Sequence, residues 1–141
     1  MQRKRTRGGA MLELVMFAPW IFVLFIGALD FGFYSYALIS VENAARVAAL
    51  QTSTGAGAAA DQTTACNIVL AELKPLPNIG TSVTSCGSGT LVVTAEALTG
   101  PDDAPSSKVT VTYQTVRLIP IPGMLGSQYT FQRSVQMRVR S

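Results

Sequence analysis

The chain has 141 residues, 48% of them apolar, with no histidine, two cysteines and a formal charge of +3. This length suits one compact domain, and the lack of histidine removes the commonest general base, the commonest metal ligand and every Ser-His or Cys-His nucleophile pair. Four of the eleven basic residues, Arg3, Lys4, Arg5 and Arg7, precede Gly8, which leaves seven basic against eight acidic residues in the rest, too near neutrality for a phosphate-binding footprint. No motif for catalysis emerges, and neither a cofactor, a nucleic acid nor a small-molecule substrate is expected.

The first element is a long apolar helix. Met11 to Leu29 is a 19-residue run with a single charge, Glu13, and about 20 mostly apolar residues span a bilayer core. Helix formers continue to Leu50, interrupted after Asp30 by one glycine, Gly32, and no proline. One helix from Ala10 to Leu50 is roughly 60 Å long, longer than a membrane, so its second half is expected to project beyond it. Phe31, Phe33, Tyr34 and Tyr36 fall where an interfacial aromatic belt sits, and the basic start fits the flank that stays cytoplasmic. Pro19 lacks an N–H for the Val15 carbonyl and is expected to kink or loosen the helix.

Three readings compete for this segment. One is a secretory signal, for which the apolar run is long and no small-residue cleavage site follows Leu29 closely. The second is a plain single-span anchor for an unprocessed binding module. The third is a pilin-type signal, cut at the cytoplasmic end of the apolar run. A carboxylate inside an apolar helix costs a few kcal/mol if unpaired, and such residues are usually functional. Type IV pilin-like signals combine a short basic leader, a glycine, and a glutamate at the fifth mature position. Residues 1–8 are similar to such a leader: cleavage between Gly8 and Gly9 makes Glu13 the fifth residue. In packed helices, Glu13 is then neutralised by the α-amino group of a neighbour's Gly9. That pair sets subunit register, since misalignment strands two charges in an apolar core.

Gly8-Gly9-Ala10-Met11-Leu12-Glu13-Leu14-Val15, Ala18-Pro19, Gly27-Ala28-Leu29-Asp30-Phe31-Gly32 and Asn43-Ala44-Ala45-Arg46 together resemble the TadE-like family. These are minor pilins or pseudopilins of the tight-adherence (Tad) system. The sequence departs from the family at Leu14, where phenylalanine is usual. The resemblance implies a prepilin peptidase, other pilins and the pilus assembly platform as partners. It also implies a single span in the bacterial inner membrane, with a cytoplasmic N-terminus, an extracytoplasmic C-terminal domain and incorporation into a surface pilus or secretion filament.

Residues 51–60 read as a flexible connection. Asp61 opens a helix to about Leu73 with a core stripe of Ala65, Ile68, Val69 and Leu73, closed by Lys74-Pro75. A weak strand is expected around Val83. Period-two alternation follows at Leu91, Val93, Ala95 and Ala97, at Val109, Val111 and Tyr113, and at Tyr129, Phe131, Val135, Met137 and Val139, with Arg133 interrupting the apolar side. This predicts an antiparallel sheet of three to four strands with one wet face, the strands at about 107–117 and 128–140 forming a hairpin. The fold class is α+β, type IV pilin-like, with the helix and sheet of residues 61–141 lying outside the membrane. The proline-rich loop between the last strands exposes Ile119, Ile121, Met124 and Leu125 as candidate partner contacts. Pro101 to Pro105 reads as a solvent turn, and its two aspartates make no metal site by themselves. Cys66 and Cys86 are too few for a His-free zinc site and suggest one disulfide, the alternative being two separate buried thiols. Glu42 and Arg46 are spaced to pair across one helical turn.

Overall fold

The computed structural model describes residues 9–80, 82–87, 89–118 and 128–140. The chain divides into two units, Met1–Phe33 and Tyr34–Ser141. Helix α1, Gly9–Thr52, runs through both. Pro19 lies inside it, and the helix continues past that point. In the first unit every described side chain from Met11 to Phe25 is exposed, and α1 is long and apolar enough to cross a membrane.

In the second unit, the α1 face made by Ala37, Val41, Ala44, Ala45, Ala48 and Ala49 is fully buried. The three- and four-residue spacing puts these side chains on one stripe, and alanines let the helix approach its neighbours closely. Hydroxyls close the helix. The Thr52, Ser53 and Thr54 hydroxyls donate to the carbonyls of Ala48, Leu50 and Gln51 at 3.0, 2.8 and 2.8 Å, and the Gln51 carbonyl also takes the Thr54 N–H at 3.3 Å.

The residues after α1 form hydrogen-bonded turns, Ala58 N–H to the Gly55 carbonyl and Asp61 N–H to the Ala58 carbonyl. They are held to the sheet by a buried polar chain. The Ser107 hydroxyl donates to the Ala59 carbonyl at 2.9 Å and stands 2.8 Å from the Thr52 hydroxyl. Helix α2, Gln62–Leu73, begins at Asp61, whose carboxylate accepts from the Thr64 N–H and hydroxyl. The Thr64 hydroxyl first, and its N–H second, hold the Asp61 carboxyl below the usual range.

The sheet is antiparallel, in the order β1 (Leu91–Thr99), β2 (Pro105–Gln114), β3 (Thr130–Arg138). Its inner rows run Leu91–Tyr113–Phe131, Val93–Val111–Arg133, Ala95–Val109–Val135 and Ala97–Ser107–Met137. The core joins these rows to the α1 stripe, to Ala65, Val69 and Leu73 of α2, and to Leu76 and Ile79. Each fully buried aliphatic side chain contributes roughly 1.5–3 kcal/mol. The β1–β2 turn folds on itself, Gly100 N–H reaching the Ala104 carbonyl at 2.7 Å, with Asp103 left-handed at φ 56°. A Cβ on Gly100 would meet Asp102 Oδ1 at 2.9 Å. Glycine fits this close approach without displacing the aspartate.

The expected hairpin is β2–β3, and the sheet has three strands. Around Val83 there is no strand: residues 83–85 have no regular structure, and the Val83 side chain packs against the core. One β-branched residue among Thr, Ser and Cys buries its side chain without needing a ladder. Cys66 and Cys86 are bonded, with Cα atoms 5.7 Å apart, so the bridge ties α2 to this irregular segment.

Candidate assembly site

The expected site begins at the helix start. Gly8 lies outside the described residues. Gly9 is the first residue of α1, and Glu13 stands one turn further on, exposed. Four residues span one turn at 1.5 Å rise each, about 6 Å, so the helix start and the carboxylate sit at neighbouring levels of one axis.

Beyond Glu13, Leu14, Ala18, Ile21, Phe22 and Phe25 line a shallow cleft of about 400 Å³. Their spacing of four, three, one and three residues puts them on one apolar stripe. The centre of that stripe is about 120° around the helix from Glu13 at 100° per residue. Ala18 makes the stripe low at its middle, and Gly27 and Gly32 have nothing within 4 Å of the position a Cβ would take. Trp20, Leu24 and Leu29, between 58 and 72% exposed, extend apolar surface around the rest of the helix. Asp30 closes the run at 7% exposure, and its Oδ2 has no hydrogen-bond partner among the described residues.

In the second unit, Tyr34 departs from the aromatic-belt expectation. Its ring is buried edge-on against Tyr129 at 4.8 Å and Phe131 at 6.3 Å, a geometry that aromatic quadrupoles favour. Tyr36 remains half exposed. Arg46 and Glu42 pair at 2.5 Å on the outer side of α1. The candidate contact residues Ile119, Ile121, Met124 and Leu125 lie outside the described residues. A polar cleft of about 260 Å³ beside the disulfide is lined by Gln62, Thr63, Cys66, Asn67, Thr84, Ser85 and Cys86, groups that offer hydrogen bonds and no acid–base pair.

Residues 8–50 match the family of TadE-like proteins. The matched stretch takes in Gly8, Glu13, the apolar run and the Asn43–Arg46 segment, and it ends inside α1. That stretch of the chain is similar to TadE-like proteins; it includes the one helix, among the described residues, fit to span a membrane, and an α+β body follows it. Comparison with curated proteins and with solved structures gives no match. The TadE-like stretch therefore covers α1 and leaves α2 and the sheet outside it.

Sequence reasoning missed two features of the TadE-like helix and the sheet. The burial of Asp30 has no local signal, because a charge closing an apolar run reads as the membrane interface. The role of Tyr34 depends on where β3 places Tyr129 and Phe131, and no pattern within α1 shows that.

Proposed function

We propose that the protein is a minor pilin or pseudopilin of a Tad-type pilus or secretion filament. A prepilin peptidase cuts after Gly8, and the mature helix stays in the bacterial inner membrane, N-terminus cytoplasmic and sheet outside, until it joins the filament. The observation that carries this reading is the TadE-like match over residues 8–50, with Glu13 at the fifth position after Gly8 on a helix whose described side chains stay exposed from Met11 to Phe25. A membrane covers this surface in the precursor; the helices of other pilins cover it in the filament. The role is structural, not enzymatic, and the partners are pilins and the assembly platform.

Glu13 sets the register. When two such helices pack, its carboxylate leaves water, and the Gly9 α-amino group of the next copy supplies the compensating charge. Removing one partner of a buried pair costs about 3 kcal/mol or more, roughly two orders of magnitude in an assembly equilibrium. Glu13→Ala is therefore expected to insert and to be cleaved normally, yet to appear in sheared filaments at about one-hundredth of the parent level by quantitative immunoblot. Incorporation at the parent level would remove the registry role.

A further inference from the structure

Among the described residues the sheet has two open edges, and the chain treats them differently. On β1, the Gln114 N–H bonds the Thr90 carbonyl, its partner in register. Alternation along an antiparallel pair then turns the N–H and C=O groups of Leu91, Val93, Ala95 and Ala97 outward. Two of those carbonyls are already occupied: the Gly87 N–H reaches Leu91 at 3.3 Å, and Gln62 Nε2 of α2 reaches Val93 at 3.0 Å. On β3, the Thr115 N–H bonds the Tyr129 carbonyl and the Val139 N–H bonds the Pro105 carbonyl. Odd residues therefore face β2, and Thr130, Gln132, Ser134, Gln136 and Arg138 turn their backbone groups outward. β3 runs nine residues without proline or glycine, which is the kind of edge that templates another strand.

Arg133 stands at the middle of this edge. It occupies an inner-face position, opposite Val111, between the half-buried Phe131 and Val135, and its side chain is exposed. Its Nη1 donates to the outward-facing carbonyl of Gln132 at 3.2 Å. A charge on the apolar face of an edge strand is a known way to prevent edge-to-edge pairing. Antiparallel pairing of two β3 strands about Ser134 would place the two Arg133 side chains on one face as diagonal neighbours, about 7–8 Å apart. Shifting the centre of the pairing by one residue would set them directly opposite. Either way, like charges meet and the bond to Gln132 is lost.

We infer that Arg133 guards the β3 edge against strand addition by a second copy of this chain, confining self-association to other surfaces. The inference stands independently of the pilin reading, since it concerns the sheet alone. Its test uses the full chain in detergent micelles with Ser134→Cys as reporter, at the centre of the pairing that Arg133 opposes. Cys66 and Cys86 are bonded to each other and do not compete. Under mild oxidation, Arg133→Val is expected to raise the rate of disulfide cross-linking between the two reporter thiols about twofold to fivefold over the Arg133 parent, with a dimer by light scattering. Arg133→Lys is expected to stay at the parent rate. Co-residence in one micelle is common to all three variants and cancels in the ratio. Arg133→Thr serves as the second variant should the valine chain fail to fold. Equal cross-linking with and without the arginine would overturn the inference, as would a rise with Arg133→Lys equal to that with valine.

Discussion

Tyr113 shows how a single residue couples the core to solution conditions. Its ring is fully buried at the end of β2, and its hydroxyl donates to Asn78 Oδ1, while Asn78 Nδ2 donates to the Gln114 carbonyl at 2.7 Å. Burial pushes the phenol up. In the unfolded chain the phenol loses its proton near pH 10, while the folded protein still holds it. The folded state then binds more protons, so its stability falls as pH rises through and above that value. Tyr113→Phe is expected to cost about 1 kcal/mol at neutral pH, the net worth of one hydrogen bond. The gap between variant and parent should narrow above pH 10. Denaturant titrations of both chains at pH 7 and pH 10.5 measure this; a gap independent of pH would contradict it.

At the scale of elements, the sheet was readable where alternation was long and hidden where it was short. Leu91 to Ala97 and Val109 to Tyr113 alternate cleanly, and both runs are strands, with Leu91, Val93, Ala95, Val109, Val111 and Tyr113 buried and Ala97 exposed. Asp61 before Thr64 is a local cap signal, and α2 starts where it points. The α1 alanines are legible for the same reason, since spacing of three and four residues survives any tertiary arrangement. Val83 was not legible: its packing depends on the disulfide that places Cys86 beside α2, and one residue carries no period. Arg133 was visible only as a flaw in a pattern; its meaning needed the strand order, which makes β3 an edge. The disulfide closes 20 residues of separation, stabilising by about 3 kcal/mol in the chain-entropy model. Cys86→Ser is expected to lower the denaturation free energy by that amount, with the far-ultraviolet spectrum retained in water. A loss well below 1 kcal/mol would mean that Leu76, Ile79 and Val83 hold the segment unaided.

For the whole molecule, the division of labour follows from where burial lies. The core of the second unit is built from one stripe of α1, from α2 and from the inner face of the sheet, and the TadE-like match over residues 8–50 takes in that α1 stripe but neither α2 nor the sheet. The apolar half of α1 contributes no side chain to that core. The proposed function assigns its apolar surface to lipid and to helices of other subunits, and Glu13 is the one charge within it from Met11 to Leu29. A 19-residue apolar run and a glycine–glutamate spacing are both local, so the sequence alone displays them. The guarded sheet edges were not legible there, because they exist only once three strands are in order. The proposed assembly role rests on processing between Gly8 and Gly9, and its most direct test is the intact mass and N-terminal residue of the protein purified from its own membrane, beside a Gly8→Leu variant. A mature chain beginning at Gly9, with the variant left uncut, is the predicted result; residues 1–8 retained on both chains would contradict it.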